Sequence, residues 1–256
     1  MFDESMKRGV LVASDSHQEW LLPWWWQRYE SCNQLPVVFV DLGMTSKARD
    51  WCQKRGQVLT VTKEFSSDVI RKEWKDKYGS SYGRARAAWF KKPFACLLSP
   101  FEETVWIDLD CEVLSSIEPI FTYLEEKDVA VVRTDNDIPE GFAPKIEGIE
   151  RPLIFNGGVI AFRKESEIIQ EWARITQEES YLYWGDDYIL SIVIHQLQEK
   201  MQLLSPIYNW RLEEGVPFYA KIIHWSGEWG KSYIAKRGGL KGVLADLPDL
   251  KKMFEV

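Results

Sequence analysis

The chain has 256 residues, 45% of them hydrophobic and 28% charged, with a net charge of −7. That length supports a substantial core in one large domain, and the acidic balance argues against nucleic acid as a partner. No stretch reaches the ~18 consecutive apolar residues of a membrane span, and Met1-Phe2-Asp3-Glu4-Ser5 lacks a signal-peptide pattern. Cys32, Cys52, Cys96 and Cys111 have no paired metal-ligand spacing. They read as free thiols, and a cytoplasmic protein is expected.

Val10 to Ala13 is a short apolar run closing in Ser14-Asp15, which predicts a buried strand and a polar turn. A helical stretch follows to about Glu30. It contains Trp20, Trp24, Trp25 and Trp26, with Pro23 placed for a first turn. The cluster is expected to pack a first helix on a sheet. The alternative is an aromatic surface for a sugar, a partner protein or a lipid headgroup, the last a peripheral membrane contact through Trp20 to Trp26. Pro36 to Asp41 predicts a second strand, Ser46 to Lys54 a helix closed by Gly56, and Gln57 to Val61 a third strand. A βαβαβ start of this kind implies a parallel sheet with helices on its faces.

Helical pattern resumes over Ser67 to Tyr78, breaks at Gly79 to Gly83, and returns as a basic helix over Arg84 to Leu98 interrupted at Pro93. A strand then runs into Asp108. A helix near Glu118 to Glu125 and a strand over Val129 to Arg133 come next, followed by a polar loop from Thr134 to Arg151. Ile154 to Phe162 reads as a strand with Gly157 and Gly158 inside it, which implies a bulge or a ligand close to the backbone. Helices are predicted over Ser166 to Glu178, Asp186 to Lys200 and Leu247 to Phe254, with short strands near Gln202 to Leu204 and Lys221 to Ile223.

Asp108-Leu109-Asp110 ends an apolar run. Residues i and i+2 of an extended segment share a face, so the two carboxylates are expected side by side and in need of a cation. Hard carboxylate oxygens suit Mg²⁺ or Mn²⁺. Ser14-Asp15, Asp41 and this pair all stand at carboxyl ends of predicted strands, where open α/β sheets bind ligands.

Four blocks in order carry a family resemblance. They are Lys92-Pro93-Phe94-Ala95 leading through Ser99-Pro100-Phe101 into Asp108-Leu109-Asp110; Phe155-Asn156-Gly157-Gly158-Val159; Gly185-Asp186-Asp187-Tyr188-Ile189-Leu190; and His224-Trp225-Ser226-Gly227 with Lys231, preceded by Tyr208-Asn209. Spanning roughly Val10 to Lys231, the chain resembles GT-A-fold, nucleotide-sugar-dependent glycosyltransferases of the family-8 type, which includes glycogenin and galactosyltransferases. The resemblance implies a mostly parallel mixed α/β sheet flanked by helices, in a single domain over 1–256. Residues 1–110 would be the nucleotide-binding half, and 111–256 would complete the acceptor and metal site.

It also implies a metal-dependent transfer of a hexose from a nucleotide sugar, UDP-linked, with retention. The acceptor would be a glycan, a protein or a small molecule. Asp108, Asp110 and His224 would hold Mn²⁺ or Mg²⁺. Ser14, Asp15, Arg86, Lys92, Asp108, Leu109, Asn156, Gly157, Gly158, Gly227 and Lys231 would bind the donor. Asp186 and Asp187 would act at the sugar.

By charge alone Arg84 and Lys91 are as available as Arg86 and Lys92. Lys231 comes one position later than the family spacing, with Gly230 in its place. Trp184, Trp225 and Trp229 flank the motifs and either stack on sugars or pack in the core. Two other readings compete. A haloacid-dehalogenase-like phosphatase would use Asp108 as nucleophile, but Glu112 stands where that pattern has Thr or Val. A non-catalytic carbohydrate-binding protein would need no aligned aspartates, histidine and lysine.

Overall fold

The structure is a computed structural model that describes residues 7–66, 74, 81–134, 146, 149–150, 152–211 and 219–240. The helices expected over 67–78 and 247–254, and most of the expected loop over 134–151, lie outside these residues. Ten strands and seven α-helices follow in chain order among the described residues: β1 (Arg8–Ser14), α1 (Leu22–Glu30), β2 (Val37–Asp41), α2 (Ser46–Gln53), β3 (Gln57–Thr60), α3 (Ser81–Trp89), α4 (Lys92–Leu97), β4 (Glu103–Ile107), β5 (Cys111–Val113), β6 (Val129–Thr134), β7 (Ile154–Arg163), α5 (Glu167–Glu179), α6 (Asp186–Gln196), β8 (Met201–Leu203), β9 (Trp210–Arg211), β10 (Ile222–His224) and α7 (Gly227–Arg237).

A seven-stranded sheet runs β3-β2-β1-β4-β7-β6-β8. Every neighbouring pair in it is parallel except those made by β7. Alternate residues of β1 enter opposite cores. Val10 and Val12 pack with Trp25, Tyr29, Phe39 and Trp225, while Leu11 packs with Phe90, Trp106, Trp172 and Ile189. Coverage on both faces is why these strands read as unbroken apolar runs rather than alternating ones.

Asp108-Leu109-Asp110 is the hinge between this sheet and a second, three-stranded one ordered β5-β10-β9. The expected bulge is present. Val131 faces Ile160 of β7, but its neighbour Val132 faces Asn156, so Gly157, Gly158 and Val159 stand outside the β6 pairing.

Three expected elements differ. The basic helix is two helices, because Pro93 has no N–H to bond the carbonyl of Trp89 and instead occupies the first turn of α4. Residues 118–124 form 3₁₀ turns rather than an α-helix. Residues 227–237, expected as a loop around Lys231, form α7. Its two glycines and its weak apolar periodicity hide it from a periodicity argument.

The tryptophans of α1 serve the core. Trp25 is fully buried and stacks on Tyr29, while Trp24 and Trp26 pack against the same core. Trp20 alone of the four is exposed. No helix among the described residues is long and apolar enough to cross a membrane.

Candidate functional site

The hinge is fixed by its backbone. Asp108 N donates to Gly158 O at 2.8 Å, Cys111 N to Asp108 O at 3.0 Å, and Trp225 N to Asp110 O at 2.9 Å. Because 108–110 is a turn and not a strand, the two carboxylates part instead of lying side by side. Asp108 faces Lys92, whose Nζ lies 3.2 Å away, and accepts from Trp106 Nε1 at 2.7 Å. Asp110 faces Lys231 Nζ at 2.5 Å and His224 Nε2 at 3.3 Å. Two separate ammonium groups thus relieve the repulsion that the sequence spacing implied. Burial would raise the Asp110 pKa, but Lys231 and His224 outweigh it and hold the carboxyl well below the usual range.

His224 reaches Asp110 through strand register. β10 runs antiparallel to β5 with His224 opposite Cys111, one residue from Asp110. Its Nδ1 lies 3.1 Å from Asn156 Oδ1 and 3.0 Å from Asn209 Oδ1. Asn156 Oδ1 also accepts from Gly158 N and Asn209 Nδ2, so it is an acceptor and Nδ1 carries the hydrogen. Nε2 is left to aim its lone pair at a carboxylate, an arrangement that calls for a shared cation or a proton.

Among the described residues, potential ligand atoms of Asp110, Cys111 and His224 lie within 4.8 Å of one another. That set includes Cys111 and not Asp108. Burial, Asp110 and Asp108 push the Cys111 thiol well above its ordinary pKa, leaving the carboxylate and imidazole as the ready ligands. Asp110 and His224 therefore fit a divalent cation, and Asp108 would have to leave Lys92 to join them. Gly158 makes room for this: a Cβ there would stand 2.4 Å from His224 Cε1. Gly158→Ala is expected to cost about 1–3 kcal/mol and to weaken metal binding. Mn²⁺ affinity measured by calorimetry checks this; an unaltered value would separate Gly158 from the placement of His224.

Lys92 is buried at the start of α4. Its Nζ lies 3.3 Å from Asp186 Oδ2 and donates to Gly157 O at 3.1 Å. Asp187 spends both oxygens on the bulge, accepting from Gly157 N at 2.7 Å and Asn156 Nδ2 at 3.0 Å. It is thus a holder of the Asn156-Gly157 backbone, and of the two acidic residues opening α6 Asp186 is the less committed. One ammonium serves three carboxylates here. Burial lowers the Lys92 pKa, yet Asp108, Asp186 and Asp187 raise it beyond its ordinary value. Burial, incompletely offset by Lys92, pushes Asp186 up to about 7.

Between about pH 4 and pH 7 the folded chain keeps a proton on Asp186 that the unfolded chain has lost. Stability therefore falls as pH rises through that window and levels off above it, a change on the order of 4 kcal/mol at most. Urea midpoints at pH 5 and pH 8 check this. Asp186→Asn should flatten the difference, and an unchanged difference would put the proton elsewhere.

Lys92, Asp108, Asp110 and Lys231 line a cleft of about 450 Å³ whose wall also includes Ser14, Asp15, Trp20, Arg84, Trp89 and Leu109. Asp15 Oδ1 accepts from the backbone of His17 and Gln18 at 2.9 Å each, the capping role its position at the end of β1 allows. Arg86 lies outside the cleft. It is buried, donates to the carbonyls of Tyr183 and Ser180, and sits over the Phe90 ring. Arg84 of the same helix lines the cleft instead, and Lys91 pairs with Glu64.

Gly227 opens α7 at φ 76°, and Lys231 follows one turn later. Gly230 presses on Trp225, whose carbonyl oxygen would lie 2.1 Å from any Cβ there. This contact draws α7 against the end of β10. Asn209, which the sequence offers only as part of the Tyr208-Asn209 pair, meets both Asn156 and His224. Trp225 is buried in the core and Trp229 is exposed.

No family model matches the chain, and no curated protein matches it by sequence. Solved structures do. A galactosyltransferase, LgtC, in complex with donor and acceptor sugar analogues is 14% identical with a TM-score of 0.54, over 86% of this chain and 87% of that one. The glycosyltransferase GlyE of Streptococcus pneumoniae TIGR4 is 15% identical with a TM-score of 0.56, over 97% of this chain and 64% of that one. Mouse xyloside xylosyltransferase 1 is 14% identical with a TM-score of 0.51, over 87% and 98%. The mixed, mostly parallel sheet and its flanking helices are those of the GT-A glycosyltransferase fold.

Proposed function

We propose that this chain is a metal-dependent glycosyltransferase that moves a hexose from a UDP-linked sugar to an acceptor, with retention. The observation that carries the reading is a cleft lined by Asp108, Asp110, Lys92 and Lys231, with His224 behind Asp110 and Asp186 behind Lys92. Asp110 and His224, with Asp108, would hold Mn²⁺ or Mg²⁺. When bound, the ion would neutralise charge growing on the diphosphate leaving group.

Lys231, an ammonium on a helix at the cleft wall, would contact the same diphosphate. Ser14 and Asp15 would meet the nucleoside, making residues 1–110 the nucleotide half. Asp186 and Lys92 would hold sugar hydroxyls, with Asn156 and the Gly157-Gly158 backbone beside them. Four free cysteines, three of them buried, are in keeping with a reducing cytoplasm.

A screen of nucleotide sugars for Mn²⁺-dependent hydrolysis tests the reading, followed by a glycan array for the acceptor. Mn²⁺ and UDP together should raise the melting temperature, by about 2.7 kcal/mol of stability at a hundredfold excess over Kd. Equal stabilisation by a phosphate monoester, or none by UDP, would count against a transferase. His224→Ala should weaken Mn²⁺ binding, and unchanged affinity would remove it from the ligand set.

A further inference from the structure

Glu112 lies in β5, two residues past Asp110, and is 2% exposed. A carboxylate buried in a sheet of three short strands is costly unless donors reach it. Donors reach it from separate parts of the chain. Trp225 Nε1 donates to Oε2 at 2.9 Å, Leu240 N donates to the same oxygen at 2.8 Å, and Arg28 Nε lies 3.1 Å from Oε1. Arg28 and Trp24 of α1 also donate to Gly238 O, at 2.9 and 3.2 Å.

Gly238 is the residue that ends α7. The carbonyl closing the helix is therefore held by α1, and an amide just beyond it is held by Glu112. Arg28 joins the two attachments into one ring. Trp225, tied to Glu112 through its indole, stacks on Tyr233 of α7 with centroids 5.3 Å apart and planes 7° apart. The helix fastened in this way carries Lys231, which meets Asp110, and it presents Glu228, Ser232 and Ala235 to the cleft.

We propose that Glu112 is a positioning residue, the buried clamp that seats α7 on the cleft and so aims Lys231 at the diphosphate of the donor. The inference rests on the functional reading above. Glu112 is not part of the cleft wall, so its effect passes through the helix. A carboxylate suits the role because its two oxygens accept from opposite sides. Gln could keep the bonds from Trp225 and Leu240 but would turn an NH₂ toward Arg28. The backbone at the metal pair does not need the Glu112 carboxylate, since His224 is held by the ladder of β5 and β10 and the Asp110 carbonyl accepts from Trp225 N at 2.9 Å.

The test is calorimetry on the full chain for the unaltered protein, Glu112→Gln, Lys231→Met and the double variant. Each is titrated with Mn²⁺ alone and with UDP in the presence of Mn²⁺. Glu112→Gln should weaken UDP by about tenfold while leaving Mn²⁺ alone within about twofold, and the double variant should bind UDP about as Lys231→Met does. Additive losses, an unchanged UDP affinity in Glu112→Gln, or an equal loss of Mn²⁺ binding would overturn the clamp. Hydrogen exchange gives a second measure: amides of α7 should exchange faster in Glu112→Gln than in the unaltered chain, and equal protection would also overturn it. If Glu112→Gln does not fold, Arg28→Met opens the same ring from the other side, with the same expectations. Failure of the unaltered chain to bind UDP with Mn²⁺ would overturn the functional reading itself, and the two failures are thereby distinguishable.

Discussion

Asp110→Asn should reduce Mn²⁺-dependent donor hydrolysis by on the order of a thousandfold, the scale of losing a charge aimed at a reacting group. The substitution keeps the shape of the side chain and leaves an oxygen for Lys231. It removes the negative charge that pairs with Lys231 and His224. Lys231 is one-quarter exposed and can turn to solvent, whereas His224 cannot, being held by Asn156 and Asn209. The fold should therefore survive, with a melting temperature within a few degrees of the unaltered chain. Calorimetry with Mn²⁺ and a hydrolysis assay check both halves. Near-normal turnover would mean that Asp110 does not hold the ion.

Lys92→Met should destabilise the chain by about 3–5 kcal/mol, the usual cost of removing one partner from a buried ionic cluster. Met matches the length of the stem but leaves Asp108, Asp186 and Gly157 O without their shared donor. The loss should depend on pH. Asp186 and Asp187 already have raised pKa values through burial, which Lys92 partly offsets. Without Lys92 they rise further, so the folded chain holds protons that the unfolded chain releases as pH climbs. The deficit should thus be larger at pH 8 than at pH 5, and Asp186→Asn added to Lys92→Met should recover part of it. Urea denaturation of the three proteins at both pH values decides this. A deficit equal at both pH values would mean that these carboxylates do not share one charge balance with Lys92.

Much of the framework was legible without coordinates. Val10 to Ala13, Val37 to Val40 and Val105 to Ile107 are apolar on every position because helices cover both faces, and that composition alone marks them as central strands. Gly157 and Gly158 inside an apolar run signalled the bulge that β7 makes against β6. Less legible were the elements whose residues are short of periodicity. β5 and β9 have three and two residues, and neither was expected as a separate strand. α7 carries glycines where a helix normally has none, since Gly230 must lie against the Trp225 carbonyl. Arg84 and Arg86 could not be told apart by charge. The carbonyls of Ser180 and Tyr183, nearly a hundred residues away, turn Arg86 inward.

The sequence by itself determined the sheet, the placing of acidic residues at strand ends, and the identity of a histidine and lysines that could join them. These follow from local pattern, which each segment carries with it. Only the tertiary structure decided that Asp108 and Asp110 part company, that Lys92 takes the first and Lys231 and His224 the second, and that Asp187 holds backbone. It also decided that Glu112 meets Trp225, Leu240 and Arg28. The direction of a side chain depends on which donor reaches it, and here a carboxylate's donor can lie as far as 128 residues away along the chain. Such contacts arise from strand register and helix seating, and no spacing within a motif encodes them.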